Sequence, residues 1–201
     1  MSDSLEPLRQ FVRAMTALVS ATGDESRLLA TGRDHLAALI ARDDWLPEAF
    51  ALPHPDRYMQ YLLHCDPLER FSVVSFVWQP GHSTPVHDHT VWGLVGQLRG
   101  AERCDEYGLR DGHPVSSGAS HVMAPGAIDA VSPSLGDWHR VSNALQDQTA
   151  ISIHVYGANI GAVRRHRLDA SGALLDFVSG YDSPVVPNLW DRAAAVRAQT
   201  P

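Results

Sequence analysis

Two histidines stand two residues apart in the run TPVHDHTVWG, residues 84–93. In an extended chain, residues i and i+2 point to the same face. His87 and His89 therefore aim two imidazoles at one point, and Asp88 between them faces away. A pair of neutral imidazoles with that spacing suits a divalent metal ion. The chain holds 11 histidines, so a histidine alone carries little weight; the pair and its surroundings carry the inference. His64, His113, His121 and His166 have no motif role. His82, just upstream of the pair, is read as lining the mouth of the site.

The surrounding spacing adds a third ligand. Gly81, His87, His89, Gly93 and Gly100 resemble the first sequence motif of the cupin superfamily, with Gly93 where cupins normally carry Glu. Gly136, His139 and Asn143 resemble the second motif, with Pro133 one place off the usual proline. His139 is then the third imidazole, brought from a later strand. The missing Glu has a chemical consequence. The common non-haem iron site uses two histidines and one carboxylate. Three neutral imidazoles leave a divalent ion its full charge and favour a substrate that brings a negative charge of its own, such as a thiolate. A three-histidine site also suits a zinc hydrolytic centre, so spacing alone does not choose the metal.

The run FSVVSFVWQPGHSTPVHDHTVWGLVGQLRG resembles the bacterial branch of the thiol dioxygenases, and the resemblance extends from about Tyr58 to Asn188. These are cupins that hold Fe(II) with three histidines and convert a small thiol to its sulfinate with O₂. The resemblance implies that role for His87, His89 and His139. The family also carries a Ser-x-His-x-Tyr triad, matched here by Ser152, His154 and Tyr156. Strand alternation puts those three on one face and Ile151, Ile153 and Val155 on the other; a polar face of that kind lines water or a polar cavity. By the same resemblance, Tyr156 holds its hydroxyl where thiol and O₂ meet, His154 bonds Tyr156, and Ser152 orients His154. Animal relatives link that tyrosine to a cysteine at the position occupied here by Gly93. Cys65 and Cys104 lie elsewhere, so no crosslink is expected and both are read as ordinary thiols.

The resemblance also bears on the substrate. Cysteine dioxygenases bind the substrate carboxylate with an early-strand Arg, and the matching residue here is Gln60. Bacterial 3-mercaptopropionate dioxygenases have Gln there and use an Arg on a later strand. Arg165 in GAVRRHRLD matches it, with Gln60 expected to donate a second hydrogen bond. Arg167 shares a strand face with Arg165, and Arg164 does not. Cysteine adds an ammonium group for which no carboxylate acceptor is evident. The reading is an Fe(II)-dependent thiol dioxygenase that prefers 3-mercaptopropionate and uses O₂. L-cysteine dioxygenase is the alternative. A non-catalytic cupin binding metal or a small acid, and a zinc or nickel hydrolase or isomerase, are the readings from other classes.

The elements that must position these residues follow from patterning. Leu5, Leu8, Phe11, Val12, Met15, Leu18 and Val19 recur at helical spacing, with Ser4 as N-cap. ATGDES breaks the pattern, and a second helix carries Leu28, Leu29, Leu36, Leu39 and Ile40. After ALPHPD the chain turns to short β-like runs: RFSVVSFVW, VWGLVGQLRG, TAISIHVYG and GAVRRHRLD. The expected fold is mainly β, a cupin-type β-barrel (jelly roll) over residues 58–190. An N-terminal helical layer covers residues 1–52, all in one domain of residues 1–201. NLWDRAAAVRAQ suggests a last short helix. The chain has 201 residues, a formal net charge of −7, and arginine as its only basic side chain besides histidine. It has no basic stripe for nucleic acid, no apolar run of membrane-spanning length and no signal-peptide layout at MSDSLEPLRQ. Together with the two cysteines, these features point to a cytoplasmic address and a small-molecule partner.

Overall fold

The computed structural model describes residues 5–183 and 193–199. Two helices open the chain. α1 (Glu6–Ala21) turns Phe11, Met15 and Leu18 inward. Ser4 lies outside the described residues; Pro7 sits in the first turn, where a missing N–H costs no helical bond. α2 (Glu25–Ile40) starts at Asp24, whose side chain accepts from the Arg27 N–H at 2.8 Å. At its far end Trp45 is fully buried, and its Nε1 donates to the carbonyls of Leu39 and Arg42, both at 3.0 Å. The indole thus satisfies carbonyls that a helix end leaves without partners.

Among the described residues ten strands follow: β1 (Met59–Cys65), β2 (Ser72–Trp78), β3 (Gly93–Arg99), β4 (Glu102–Arg110), β5 (His113–Met123), β6 (Ile128–Val131), β7 (Trp138–Asn143), β8 (Ala150–Tyr156), β9 (Arg165–Leu168) and β10 (Leu174–Phe177). One sheet has the order β1-β2-β8-β3-β6. A second has the order β5-β4-β7, and β9 pairs with β10. The two sheets enclose a cupin-type barrel, with α1 and α2 packed on the outer face of the five-stranded sheet. A short helix, α3 (Ala193–Arg197), lies within the expected tail; residues 184–192, including Asn188 and Trp190, are outside the described residues.

The expected strand for His87 and His89 differs from what is observed. Residues 83–89 run as an extended segment whose strand pairing is limited to isolated bridges, Ser83 to Ser142, His87 to His139 and His87 to Arg167. The segment fills the gap between β7 and β9. The His87 and His139 backbones exchange bonds of 3.0 and 3.1 Å, while Asp88 N donates to the His166 carbonyl at 3.1 Å. A left-handed φ of 60° at Thr90 turns the chain out of the segment and prevents a regular strand. The GAVRRHRLD run also divides: Ile160–Ala162 is a 3-10 turn, and only Arg165–Leu168 is strand.

β8 is the spine. It is hydrogen-bonded on both edges, to β2 and β3, and all seven of its residues are buried. Its two faces meet different surroundings. Ile151, Ile153 and Val155 join the core that contains Leu36, Leu39 and Ile40 of α2. Ser152, His154 and Tyr156 point into the barrel, so the polar face is the enclosed one. The helical layer approaches the sheet closely at Gly96 of β3, where a Cβ would lie 2.9 Å from Ile40 Cδ1 and 3.1 Å from Leu36 Cδ2. A branched side chain there would push α2 off the sheet. Gly96→Val is therefore expected to destabilise the protein by about 1–3 kcal/mol, measured as a lowered urea midpoint with an unchanged slope. An unchanged midpoint would show that α2 is not seated on β3.

Candidate metal centre

His87 and His89 come from the bridged segment, and His139 comes from β7. The three rings form a nearly equilateral set, with centroids 4.9 Å (His87–His89), 4.8 Å (His87–His139) and 4.9 Å (His89–His139) apart. One nitrogen of each lies within 4.8 Å of the others. The Nδ1 atoms face outward. That of His87 lies 3.1 Å from the Pro85 carbonyl, that of His89 is 2.9 Å from Asp137 Oδ1, and that of His139 is 3.4 Å from Cys104 Sγ. The three Nε2 atoms are thereby left to converge. This is how metal-binding histidines are usually oriented, with the second nitrogen held by an outer partner.

Burial fixes the charge state. It drives His87 and His89 well below the ordinary histidine range, and neighbouring imidazoles push the same way. It pulls His139 down to about 4. All three rings are neutral near pH 7, with lone pairs available to a cation. A divalent metal fits this donor set without competing protons.

The set forms one wall of a cavity of about 370 Å³. Another wall is the inward face of β8. His154 Nδ1 lies 2.7 Å from the Tyr156 hydroxyl, and His154 Nε2 lies 2.8 Å from Ser152 Oγ. Burial lowers His154 to about 3 and raises Tyr156, so both are neutral. Gly93 faces Tyr156 across the β3–β8 ladder, and a Cβ there would meet its ring at 2.8 Å. The glycine leaves room for the phenol. Neither Cys65 nor Cys104 is in a disulfide.

Arg165 is 4% exposed and lines the same cavity. Its Nη2 donates to Ser179 Oγ at 2.7 Å, and its Cζ sits 4.6 Å from the Phe177 ring centroid. Its buried Nε–H has no hydrogen-bond partner among the described residues. Arg167 also lines the cavity, whereas Arg164 turns away and lies 3.7 Å from Asp176. Gln60 lines the cavity but differs from expectation: its Nε2 donates to Ser179 Oγ at 3.0 Å and to the Gly180 carbonyl at 2.8 Å. Both amide hydrogens are engaged with the protein, so Gln60 supports Arg165 through Ser179 instead of offering a donor to a ligand.

Several residues of the site carry no signal in the sequence. Ser179 and Tyr58 are two; Tyr58 stacks on Trp78 with centroids 4.6 Å apart and roofs the cavity. Asp137 lies two residues before His139, and only the fold turns it to His89. Its Oδ2 also accepts the N–H groups of His89 and Thr90, at 3.0 and 2.8 Å. Asp88 faces away from the imidazoles, as alternation implies, and grips the His166 N–H and Nδ1, each at 2.7 Å. Glu102, buried behind Ser152, is raised by burial to about 8 and is neutral at pH 7. His82 does not reach the cavity. Its Nδ1 accepts from Gln79 N at 3.1 Å, closing the turn after β2.

The barrel and the inward-facing imidazole set define a metal-binding cupin. The sequence model of the cysteine dioxygenase type I family matches residues 41–168, and the chain belongs to that family. Membership makes the protein a metal-dependent dioxygenase acting on a thiol. Among solved structures, it is similar to TT1209 from Thermus thermophilus, at 20% identity over 55% of this chain and 92% of that one, with a TM-score of 0.43. A conserved protein with a double-stranded β-helix domain from Klebsiella pneumoniae is 15% identical over 60% and 95%, with a TM-score of 0.46. An RmlC-like cupin from Ralstonia eutropha is 16% identical over 62% and 69%, with a TM-score of 0.43. No helix among the described residues is long and apolar enough to cross a membrane.

Asp137 holds His89 at two points and the Thr90 N–H at a third, so Asp137→Ala is expected to weaken metal retention about 10–100-fold while leaving the fold intact. Competition with a chelator at fixed pH measures this, and wild-type retention in the variant would contradict the assigned role.

Proposed function

We propose that the protein is an Fe(II)-dependent thiol dioxygenase of the cytoplasm, built as a single cupin unit, that prefers 3-mercaptopropionate. The reaction joins one thiol and one O₂ to give the sulfinic acid. His87, His89 and His139 hold the iron. When bound, Fe(II) supplies the redox chemistry that lets a closed-shell thiol react with O₂. The observation that carries the substrate reading is the buried guanidinium of Arg165, whose Nε–H has no partner among the described residues, in the cavity that the three imidazoles line. A buried donor without a partner is costly unless a ligand supplies the acceptor. A carboxylate does so, and the planar fork of Arg suits it.

The protein residues then have separate tasks. Arg165 binds the carboxylate, and Ser179 and Gln60 hold Arg165. This anchors one end of the thiol so that its sulfur is presented to the imidazole set, the kind of positioning that lowers a barrier by several kcal/mol. On β8 the hydrogens can run one way: Ser152 O–H to His154 Nε2, and His154 Nδ1–H to the Tyr156 oxygen. The Tyr156 hydroxyl is then free to donate into the cavity. Its raised pKa keeps it protonated for that purpose.

The choice against L-cysteine rests on charge. Asp182 is the one carboxylate that lines the cavity among the described residues. It pairs with Arg57 at 2.8 Å and accepts from Gln60 N at 2.9 Å. An incoming ammonium group finds no unpaired acid.

The test is kcat/KM for the two thiols at one pH, saturating oxygen and one equivalent of Fe(II). The expected order is 3-mercaptopropionate above L-cysteine, and the reverse order overturns the substrate reading. Arg165→Ala is expected to lower kcat/KM for 3-mercaptopropionate by about 2–5 kcal/mol, or tens to thousands of fold. Arg165→Lys should recover only part of it. Tyr156→Phe should retain iron and lower kcat about 10²-fold. An unchanged rate and pH profile in that variant removes Tyr156 from the chemistry.

A further inference from the structure

A second group of metal-type donors lies on the other side of His139. Cys104 on β4, His121 on β5 and Asp129 on β6 offer a sulfur, a nitrogen and an oxygen that all lie within 4.8 Å of one another. Cys104 is buried, and the other two are half-buried. They edge a cavity of about 260 Å³, separate from the one that holds Arg165. None of the three belongs to the motifs that resemble the cupin or thiol dioxygenase patterns.

Three features mark this as more than a chance cluster. The first is its place in the barrel. Cys104 and His121 are directly opposed in the β4–β5 ladder, while Asp129 comes from β6 of the other sheet. β5 and β6 are edge strands of their respective sheets. The cluster therefore straddles a seam that strand pairing does not close. The second is the environment of His121. Its Nε2 lies 2.5 Å from Asp129 Oδ2, and its Nδ1 lies 3.5 Å from Glu106 Oε1. One nitrogen faces the donor group, and the other faces a carboxylate outside it. The same division holds at His89, where Asp137 takes Nδ1, and it is the usual way of orienting a metal-binding imidazole. The third is the donor chemistry. One sulfur, one imidazole and one carboxylate suit a borderline-soft divalent ion that accepts tetrahedral geometry with a fourth position left for water. The adjoining cavity gives that position access to solvent.

We propose that Cys104, His121 and Asp129 form a second divalent transition-metal site, of the zinc class, that clips β4 and β5 to β6. Binding releases the Cys104 thiol proton to solvent and leaves a thiolate on the metal. The His121–Asp129 hydrogen bond is exchanged for two metal bonds, and Glu106 holds the free side of the imidazole. Because Cys104 Sγ also lies 3.4 Å from His139 Nδ1, the clip touches the outer nitrogen of a ring in the first metal centre. Occupancy of the second site thus alters the hydrogen bond that orients His139.

Cobalt(II) tests this without reference to activity. A thiolate–cobalt bond gives an intense near-ultraviolet charge-transfer band, which three imidazoles cannot give. Metal-free protein in thiol-free buffer is titrated with cobalt(II) and followed by absorbance and by metal content after gel filtration. Two equivalents are expected, with the band saturating at one. His87→Ala/His89→Ala protein should lose one equivalent and keep the band. Cys104→Ser, which changes one atom, should lose the band and one equivalent; Cys65→Ser should change neither. Glu106→Gln should weaken the band-forming site about 10–100-fold. Wild-type protein without the band, or a band that survives in Cys104→Ser, overturns the proposal. Should Cys104→Ser fail a circular dichroism check, His121→Gln serves in its place. A missing histidine-site equivalent with the band intact would count against His87, His89 and His139 instead, which keeps the two assignments separable.

Discussion

The structure turns on one constraint: three imidazoles must stay neutral, buried and convergent although two of them sit on a segment that is not a strand. Residues 83–89 have no ladder of their own. They are held by backbone bonds to β7 on one side and β9 on the other, and by two aspartates acting in opposite directions. Asp88 ties the segment outward to His166, and Asp137 reaches in from before β7 to hold His89. With the backbone fixed from both sides, alternation does the rest, and His87 and His89 face the same point as His139. Burial then keeps the rings unprotonated. An open strand edge at this position would expose the imidazoles to water and raise their proton affinity.

β8 answers the same constraint from the opposite wall. A strand buried on both faces usually reads as a continuous apolar run. Here every second residue is polar, because one face packs on the helices and the other lines the cavity. Each inward polar group has an inward partner, so the enclosed polar row is tolerable in a low-dielectric interior. The helical layer is what makes this arrangement possible: Leu36, Leu39 and Ile40 cover Ile151, Ile153 and Val155, and the strand's hydrophobic demand is met outside the barrel.

Arg165 is held by a third device. A buried guanidinium needs acceptors or a π face, and it has Ser179, Phe177 and no more among the described residues. The incomplete set is a polarity that the cavity presents to a ligand. The second donor group, at Cys104, His121 and Asp129, has the same character on the far side of His139, where donors from both sheets face each other across an unpaired seam. The two centres share a hydrogen-bonded ring and little else.

The sequence by itself determined what depends on local spacing. The HxH pair, the alternating Ser152-His154-Tyr156 face and the two apolar helix stripes are set by intervals of a few residues, while His139 and the arginine after the triad strand were legible through the family resemblance. What those intervals do depends on backbone periodicity, which is short-range physics. Tertiary structure decided the partners. Asp137 and His89 are 48 residues apart, and Gln60 and Ser179 are 119 apart; no local interval links them. The Gln60 amide, expected to face a ligand, is turned to Ser179 and Gly180 for that reason, since those acceptors come from a distant loop. The strand expected for His87 and His89 became a bridged segment because its hydrogen bonds go to β7 and β9, whose register no local pattern encodes. Likewise, Cys104, His121 and Asp129 lie on three different strands with unremarkable surroundings in the chain, and only the closing of two sheets around one interior makes them neighbours.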